Sequence, residues 1–396
     1  MKNKIVIMHI AEAAKGVERY LHTLLKKMNK YPEFEHILLV SQDYNIERFE
    51  GITKACVCID SLKHEINPRV DIAAAVAVRK EIRKWKPDIV YCHSTKAGAI
   101  GRMANIGIKN KLIYNAHGWA FNMRTAGKVK RGIYLAVEHL LAPLTDKVVC
   151  ISRYEARCAL RKRICHKDRI EFIRSGIDYD ESLKTERRNG GYLPEDDASI
   201  RSILRKELMI PEDAFVIGAV GRLAEQKAPD IFVRMAERIG KKYPNTYFML
   251  VGDGELREET ERAIEHTGIS ERFRITGWME NPLFYIRCFD LAALFSRWEG
   301  FGLVLPEYML MHKPIVTTDA DAIPEVVGDA ALVAKVDDVN GLSDETERLL
   351  LDPELRARLV RVGNRRVKRY NADLMAGKHA ELFLRLMNKE KADENN

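Results

Sequence analysis

Two glutamates, Glu299 and Glu307, enclose a glycine-bearing segment in W-E-G-F-G-L-V-L-P-E, with seven residues between them. Asp290 to Phe295, just upstream, is a short apolar run of the kind that forms a buried strand. Ser296 to Gly302 breaks that pattern. From Leu303 helical character returns, with Pro306 acceptable in a first turn. The order is therefore strand, glycine loop, helix. Such a loop offers backbone N–H groups and the positive end of a helix dipole, for which phosphate is the natural guest. Carboxylates on either side accept hydroxyl hydrogens, so the fitting ligand carries hydroxyls at both ends of a diphosphate, as a nucleotide sugar does. A second set lies upstream, in F-V-I-G-A-V-G-R-L-A-E-Q-K. There a strand ends at Gly221, and Arg222 and Lys227 follow in the turn before a helix. Two fixed cations beside a strand end can neutralise a diphosphate, and arginine can do so through paired hydrogen bonds. His117, in Y-N-A-H-G-W, falls at the carboxyl edge of a further strand, Lys111 to Asn115.

Glu-x7-Glu with F-G-L inside it resembles the signature of retaining, nucleotide-sugar-dependent glycosyltransferases of glycosyltransferase family four. The G-R-L-x-x-x-K spacing of Arg222 and Lys227 is similar to that family's diphosphate-neutralising arrangement. H-S-T-K-A-G-A-I-G-R, residues 93–102, resembles the H-S-x-K-A-G-x-x-G-R stretch of its bacterial surface-polysaccharide members, as does V-E-H-L-L-A-P-L-T-D-K-V-V-C-I-S-R-Y-E. The resemblance covers almost the whole chain. It implies an α/β GT-B fold, two doubly wound Rossmann-like domains facing each other across a cleft. It also implies roles. Glu307 would bind the ribose hydroxyls, and Glu299 with the backbone of Phe301, Gly302 and Leu303 would hold sugar and phosphates. Arg222 and Lys227 would stabilise the departing diphosphate. His117 would contact the transferred sugar and its developing positive charge. Gly16 would approach the donor, and His93, Ser94 and Lys96 would lie on the acceptor side. The implied donor is a UDP-sugar, the implied acceptor a polyprenyl-linked or other glycan. The implied chemistry is same-face attack that retains the anomeric configuration, with no metal and no cofactor. Two positions depart from the family pattern: Lys15 stands for the first of paired glycines, and Asp321-Ala322 replaces Gly-Gly before Ile-Pro-Glu. Asp319-x-Asp321 also spells a metal-holding pattern of a different glycosyltransferase fold. The fold signals and the two cations argue against that role.

These residues need two scaffolds to position them, and 396 residues are long for one core. The expected division is an acceptor-side domain over 1–183, a linker over 184–210, a nucleotide-sugar domain over 211–370 and a C-terminal helix and tail over 371–396 packing back on the first domain. Lys4 to Ile10 predicts the first strand, and a helix through Lys27 follows a glycine turn, the opening of a doubly wound domain. Further strands are predicted at His36 to Val40, Lys54 to Ile59, Ile89 to Cys92, Lys147 to Ile151 and Ile170 to Ile173. In the second half they fall at Tyr247 to Val251, Arg274 to Trp278 and Pro314 to Thr318. Arg201 to Leu208 predicts a short helix, and Asp344 to Met387 reads as helical and amphipathic.

A net charge of +8 and a pI near 9.0 favour anionic partners. Two basic clusters, Arg124 to Arg131 and Arg157 to Arg169, carry apolar residues among their charges and suit either a solvated helix face or an anionic membrane surface. Nucleic acid is disfavoured, because no recognised motif or run of stacking aromatics accompanies the charge. Seven cysteines without framework spacing read as reduced thiols. No stretch approaches the ~20 apolar residues of a membrane span, so the expectation is a cytoplasmic protein meeting the membrane only at its surface. Two rivals to the transferase reading stand beside it: a UDP-sugar epimerase of the same architecture, and a non-catalytic membrane-surface module with a decayed site.

Overall fold

The structure, a computed structural model, describes residues 4–180, 197–279 and 281–394. About half of the expected linker, residues 184–196, lies outside them. Two compact units result: Met1–Asp178 with Tyr370–Asn396, and Tyr179–Arg369.

In the first unit seven parallel strands form one sheet: β1 (Ile5–Ala11), β2 (Phe34–Val40), β3 (Ala55–Cys58), β4 (Ile89–His93), β5 (Lys111–Asn115), β6 (Lys147–Cys150) and β7 (Ile170–Phe172). Their order is β3-β2-β1-β4-β5-β6-β7, so the winding reverses between β1 and β4. Central strands of a parallel sheet are covered on both faces, which is why β4 reads Ile-Val-Tyr-Cys-His and is buried at every position. Helix Pro68–Trp85 shows how a covering element is specified. Asn67 accepts hydrogen bonds from the N–H groups of Arg69 and Val70, Pro68 takes the first turn, and left-handed Lys86 ends the helix. Its buried stripe, Ala74, Val78 and Ile82, recurs every four residues.

The segment 93–102 is a packing device. A Cβ on Gly98 would meet the Tyr114 ring at 2.3 Å, and one on Gly101 would meet Cys92 Sγ at 2.4 Å. Helix Thr95–Ala104 therefore lies directly on the sheet. Arg102 is buried, donates to Glu138 at 2.8 Å and lies over the Tyr114 ring, whose hydroxyl donates to Glu138 at 2.7 Å.

The C-terminal helix Ala372–Glu394 belongs to this unit. Ile177 N–H donates to Tyr370 O at 2.7 Å and Ala372 N–H to Ile177 O at 3.0 Å. Phe383 meets Phe34 edge-on.

The second unit holds β8 (Phe215–Val220), β9 (Thr246–Val251), β10 (Phe273–Ile275), β11 (Leu291–Leu294), β12 (Ile315–Thr318) and β13 (Ala331–Ala334), all parallel. The order β10-β9-β8-β11-β12-β13 reverses between β8 and β11. Helix Asp197–Glu207, expected within the linker, is instead part of this unit. Buried Arg205 donates to Asp290 at 2.8 Å and to Ala214 O at 2.8 Å, tying the helix to the foot of the sheet. The helical run expected over Asp344 to Met387 is three helices: Val339–Leu351, Pro353–Arg366 and Ala372–Glu394. Asp352 accepts from Leu355 N–H at 2.8 Å and Pro353 follows it, a start signal that divides the first two.

Candidate functional site

In open parallel sheets ligands bind beyond the carboxyl ends of the strands where the winding reverses. In the second unit that point lies between β8 and β11. Chain leaving β8 passes Gly221 and Arg222, and it is held there by the loop after β9. Leu223 N–H donates to Asp253 O at 3.0 Å, and Leu256 N–H donates to Leu223 O at 2.9 Å. Gly252 makes the approach possible: with φ of 143°, a Cβ there would stand 2.0 Å from Gly221 O. Arg222 is half-exposed, its Nε 4.0 Å from a Glu255 carboxylate oxygen.

The turn Glu225–Lys227 is then latched to the loop after β11. Arg297 donates to Asp230 at 2.6 Å and to Asp337 at 2.7 Å, and its N–H donates to Gln226 O at 2.8 Å. Gln226 Nε2 donates to Trp298 O at 3.0 Å. That latch brings Lys227 Nζ into an ion pair with Glu299 Oε1, to which Ser296 Oγ–H also donates at 2.9 Å. Gly302, at φ 80°, turns the chain into helix Val304–Leu310. Tyr308 clamps that helix to both strand ends: its hydroxyl accepts from Val220 N–H at 2.8 Å and donates to Ala293 O at 3.2 Å. Glu307, beside it, is fully buried. A small pocket is lined by Gly221, Arg222, Leu223, Lys227, Pro229 and Phe295, among others. Arg222, Lys227 and Glu299 are thus gathered at one strand edge, with Phe301, Gly302, Leu303 and Glu307 carried on the same loop and helix. The helix is only seven residues long. The electrostatics therefore rest on the two cations more than on its dipole.

Asp321 fills the position of a family glycine and keeps a positive φ, 47°. Its carboxylate accepts from Glu299 N–H at 3.1 Å, which fixes the loop that carries Glu299. Asp319 faces elsewhere, pairing with Lys335 at 2.6 Å and accepting from Val336 N–H at 3.1 Å.

In the first unit the winding reverses between β1 and β4. Lys15 adopts φ 65° and ψ −98°, a conformation natural to glycine that holds about 1–3 kcal/mol of strain in any other residue. Its N–H donates to Glu18 at 3.3 Å. Gly16 opens helix Gly16–Met28 with open space around it. Ser94 donates to the buried carboxylate of Glu12, which also accepts from Ala97 N–H at 3.1 Å; burial pushes the Glu12 carboxyl up from its ordinary pKa. Lys96 pairs with Asp71 at 2.8 Å. His93 has no exposed surface, and its ring lies between those of His9 and His117. His117 is part-exposed, at φ 51°, with its N–H donating to Asn115 Oδ1 at 3.0 Å and the Tyr20 ring edge-on at 4.6 Å. Burial pushes its pKa down to about 3, so it is a neutral imidazole.

Residues 14–181 match the family described as Glycosyltransferase Family 4, and residues 200–366 match Glycosyl transferases group 1. The chain belongs to glycosyltransferase family four. This glycosyltransferase is 24% identical over 324 residues, 80% of each chain, to UDP-Gal:alpha-D-GlcNAc-diphosphoundecaprenol alpha-1,3-galactosyltransferase of Escherichia coli. It is 33% identical over 185 residues, 46% of this chain and 52% of the relative, to the lipopolysaccharide core biosynthesis glycosyltransferase LpsD of Rhizobium meliloti. Among solved structures, Anabaena Alr3699/HepE in complex with UDP-glucose superposes with a TM-score of 0.78 at 18% identity, over 96% of this chain and 99% of that one. WaaG, a glycosyltransferase involved in lipopolysaccharide biosynthesis, gives 0.73 at 14% identity over 96% and 99%. The two sheets of the glycosyltransferase are those of the GT-B fold.

Sequence reasoning missed His9, His36, His379 and Glu12. Each is a single polar residue with no motif around it: strand order brings His36 to His9, and the C-terminal helix carries His379 to Tyr20 and Tyr91. The basic clusters of the glycosyltransferase are displayed. Helix Lys128–Leu141 exposes Val129, Ile133 and Leu140 beside Lys128, Lys130 and Arg131. Among the described residues no helix is long and apolar enough to cross a membrane.

Proposed function

We propose that this glycosyltransferase moves a sugar from a UDP-sugar to a polyprenyl-diphosphate-linked or other glycan acceptor, with retention of anomeric configuration, in the building of a cell-surface polysaccharide. The observation that carries the reading is the ion pair of Lys227 with Glu299, with Arg222 on the same pocket. Cations and carboxylate together suit a diphosphate joined to a hydroxyl-rich sugar. The relative from Escherichia coli carries UDP-Gal and diphosphoundecaprenol in its name, which supports donor and acceptor classes alike.

In the proposed reaction the bond between the anomeric carbon and the phosphate oxygen breaks, and the departing UDP takes the electron pair. An acceptor hydroxyl oxygen bonds to the same face of that carbon and passes its proton to the departing phosphate oxygen. Arg222 and Lys227 neutralise the charge that develops there, Glu299 and the 301–303 backbone hold the sugar, and Glu307 binds the ribose. Fixed charges aimed at a developing anion usually contribute more to such catalysis than any other single effect. His117 contacts the transferred sugar as an uncharged group. No metal has a role in the scheme. The exposed apolar and basic face of helix Lys128–Leu141 suits an anionic membrane surface, where each Lys or Arg contributes ~1 kcal/mol.

The test is incubation with a panel of nucleotide sugars and lipid-linked acceptors, read by mass spectrometry, with and without a chelator. Transfer from a UDP-sugar that survives chelation supports the proposal. Consumption of the UDP-sugar by epimerisation, with no acceptor present, contradicts it.

A further inference from the structure

Four imidazoles form an unbroken line across the first sheet, on the neighbouring strands β2, β1 and β4 and just beyond β5. His36 Nδ1 lies 3.0 Å from His9 Nε2, His9 Nδ1 lies 3.1 Å from His93 Nε2, and His93 Nδ1 lies 3.0 Å from His117 Nε2. His36, His9 and His93 are buried; only His117 reaches the surface. A neutral imidazole has one N–H and one lone pair, so a line joined Nδ1 to Nε2 at every link must run in a single direction.

We propose that this line donates from His36 towards His117, and so fixes His117 with its proton on Nδ1, as a hydrogen-bond donor to its ligand. The proposal rests on the reading that His117 touches the transferred sugar. Direction is set at the far end. The reverse order would place a proton on His36 Nε2, which is buried and reached by no hydrogen-bonding group among the described residues. A buried N–H without an acceptor is rarer in proteins than an unused lone pair, and its desolvation is not recovered. In the forward order that nitrogen keeps only a lone pair, and each of the three links has one donor and one acceptor.

The surroundings keep the line dry and singly protonated. His379 Nδ1–H donates to Met375 O at 2.8 Å, so its Nε2 is left as an acceptor, 3.2 Å from the hydroxyls of both Tyr20 and Tyr91. Those two rings also pack against His117 and His93. Burial pushes His36 down to about 4 and His117 to about 3, and holds His9 and His93 well below the ordinary histidine value. No ring gains a second proton near neutral pH. The consequence is chemical. His117 adds no positive charge against a sugar ring that is itself becoming positive, and it binds a hydroxyl through that hydroxyl's oxygen. His9, His36 and His93 are positioning residues, acting only through His117.

The experiment is long-range proton–nitrogen correlation NMR on the full chain labelled with 15N-histidine, at pH 7.5. Ring signals are assigned by the loss of one set in each single variant. His117, His93, His9 and His36 are all expected in the Nδ1–H form. His93→Asn should keep His117 in that form, since the asparagine amide nitrogen can replace Nδ1 as donor, whereas His93→Phe should release it to the Nε2–H form and lower kcat about tenfold at little change in KM. Finding His117 of the unaltered chain in the Nε2–H form, or as imidazolium, overturns the proposal without any variant. Titration with UDP-sugar then separates the two readings. Nδ1–H signals of His117 that do not move would leave the line intact and remove the sugar contact.

Discussion

Lys227 is ion-paired with Glu299 although 72 residues separate them in the chain. The pair exists because Arg297 and Gln226 lock the turn after β8 onto the loop after β11. It also explains how one site can serve both ends of a glycosyl phosphate. A diphosphate competes with Glu299 for the ammonium, and a carboxylate released from the ammonium is free to accept sugar hydroxyls. On the proposed reading, binding and charge neutralisation are thus one exchange of partners.

Glu307 is buried on the first turns of helix Val304–Leu310, and the helix is held in place by Tyr308. Replacing Glu307 with Gln should weaken UDP binding about 10–100-fold, the range for losing a hydrogen bond to a charged group, while melting temperature changes little. Isothermal titration with UDP checks this. An affinity equal to that of the unaltered protein would remove the ribose role.

Gly252→Ala should be among the most damaging single changes near the site. The added methyl would stand 2.0 Å from Gly221 O at a backbone φ of 143°, which alanine rarely adopts. Destabilisation of about 3 kcal/mol or more is expected, with UDP binding weakened as well because the Arg222 turn is displaced. Denaturant unfolding of both proteins measures it; a midpoint unchanged within error would show that the two loops can separate freely.

The buried histidines make the first unit acid-sensitive. His36 and His379 titrate near 4 and His117 near 3 when folded, against an ordinary value of about 6.5, and burial is the main cause in each case. Their folded values are lowered, so below pH 6.5 the unfolded chain binds protons that the folded chain refuses. Stability is therefore full above about 6.5 and falls as pH drops towards 4, by up to ~1.4 kcal/mol per pH unit for each such histidine. Urea unfolding between pH 7.5 and 5 should show this slope, and His379→Gln should flatten it. A stability constant over that range would contradict the neutral burial of these rings.

Much of the architecture was legible in the chain, for a physical reason. Strands buried on both faces need unbroken apolar residues, so Lys111–Asn115 and Tyr247 to Val251 stand out from their polar surroundings. β13 does not: Ala-Leu-Val-Ala, just beyond Gly328-Asp329-Ala330, is too short to carry a period. The motif of residues 93–102 was legible, but the packing of its glycines and arginine was not. In residues 93–102 the two glycines and Arg102 prove to be fitted to Tyr114, Cys92 and Glu138, groups that only the sheet brings near. The histidine line was invisible, because His36, His9 and His93 sit alone in their strands, His117 lies just beyond another, and strand order is not written locally.

Helix Lys128–Leu141 offers a separate test. Changing Lys128, Lys130 and Arg131 together to Ala should weaken binding to vesicles containing anionic phospholipid by about 100-fold, at ~1 kcal/mol for each charge, and leave UDP affinity intact. Sedimentation with anionic and neutral vesicles distinguishes charge-driven attachment from none. Equal binding of the triple variant and the unaltered protein would remove this face from the membrane contact.

The most direct measurement is kcat set beside UDP affinity in Arg222→Ala and Lys227→Ala. If these cations neutralise the departing diphosphate, kcat falls about 100–1,000-fold in each while the UDP dissociation constant changes by less than about tenfold. An unchanged kcat in both variants would contradict the assignment of leaving-group stabilisation to this pair.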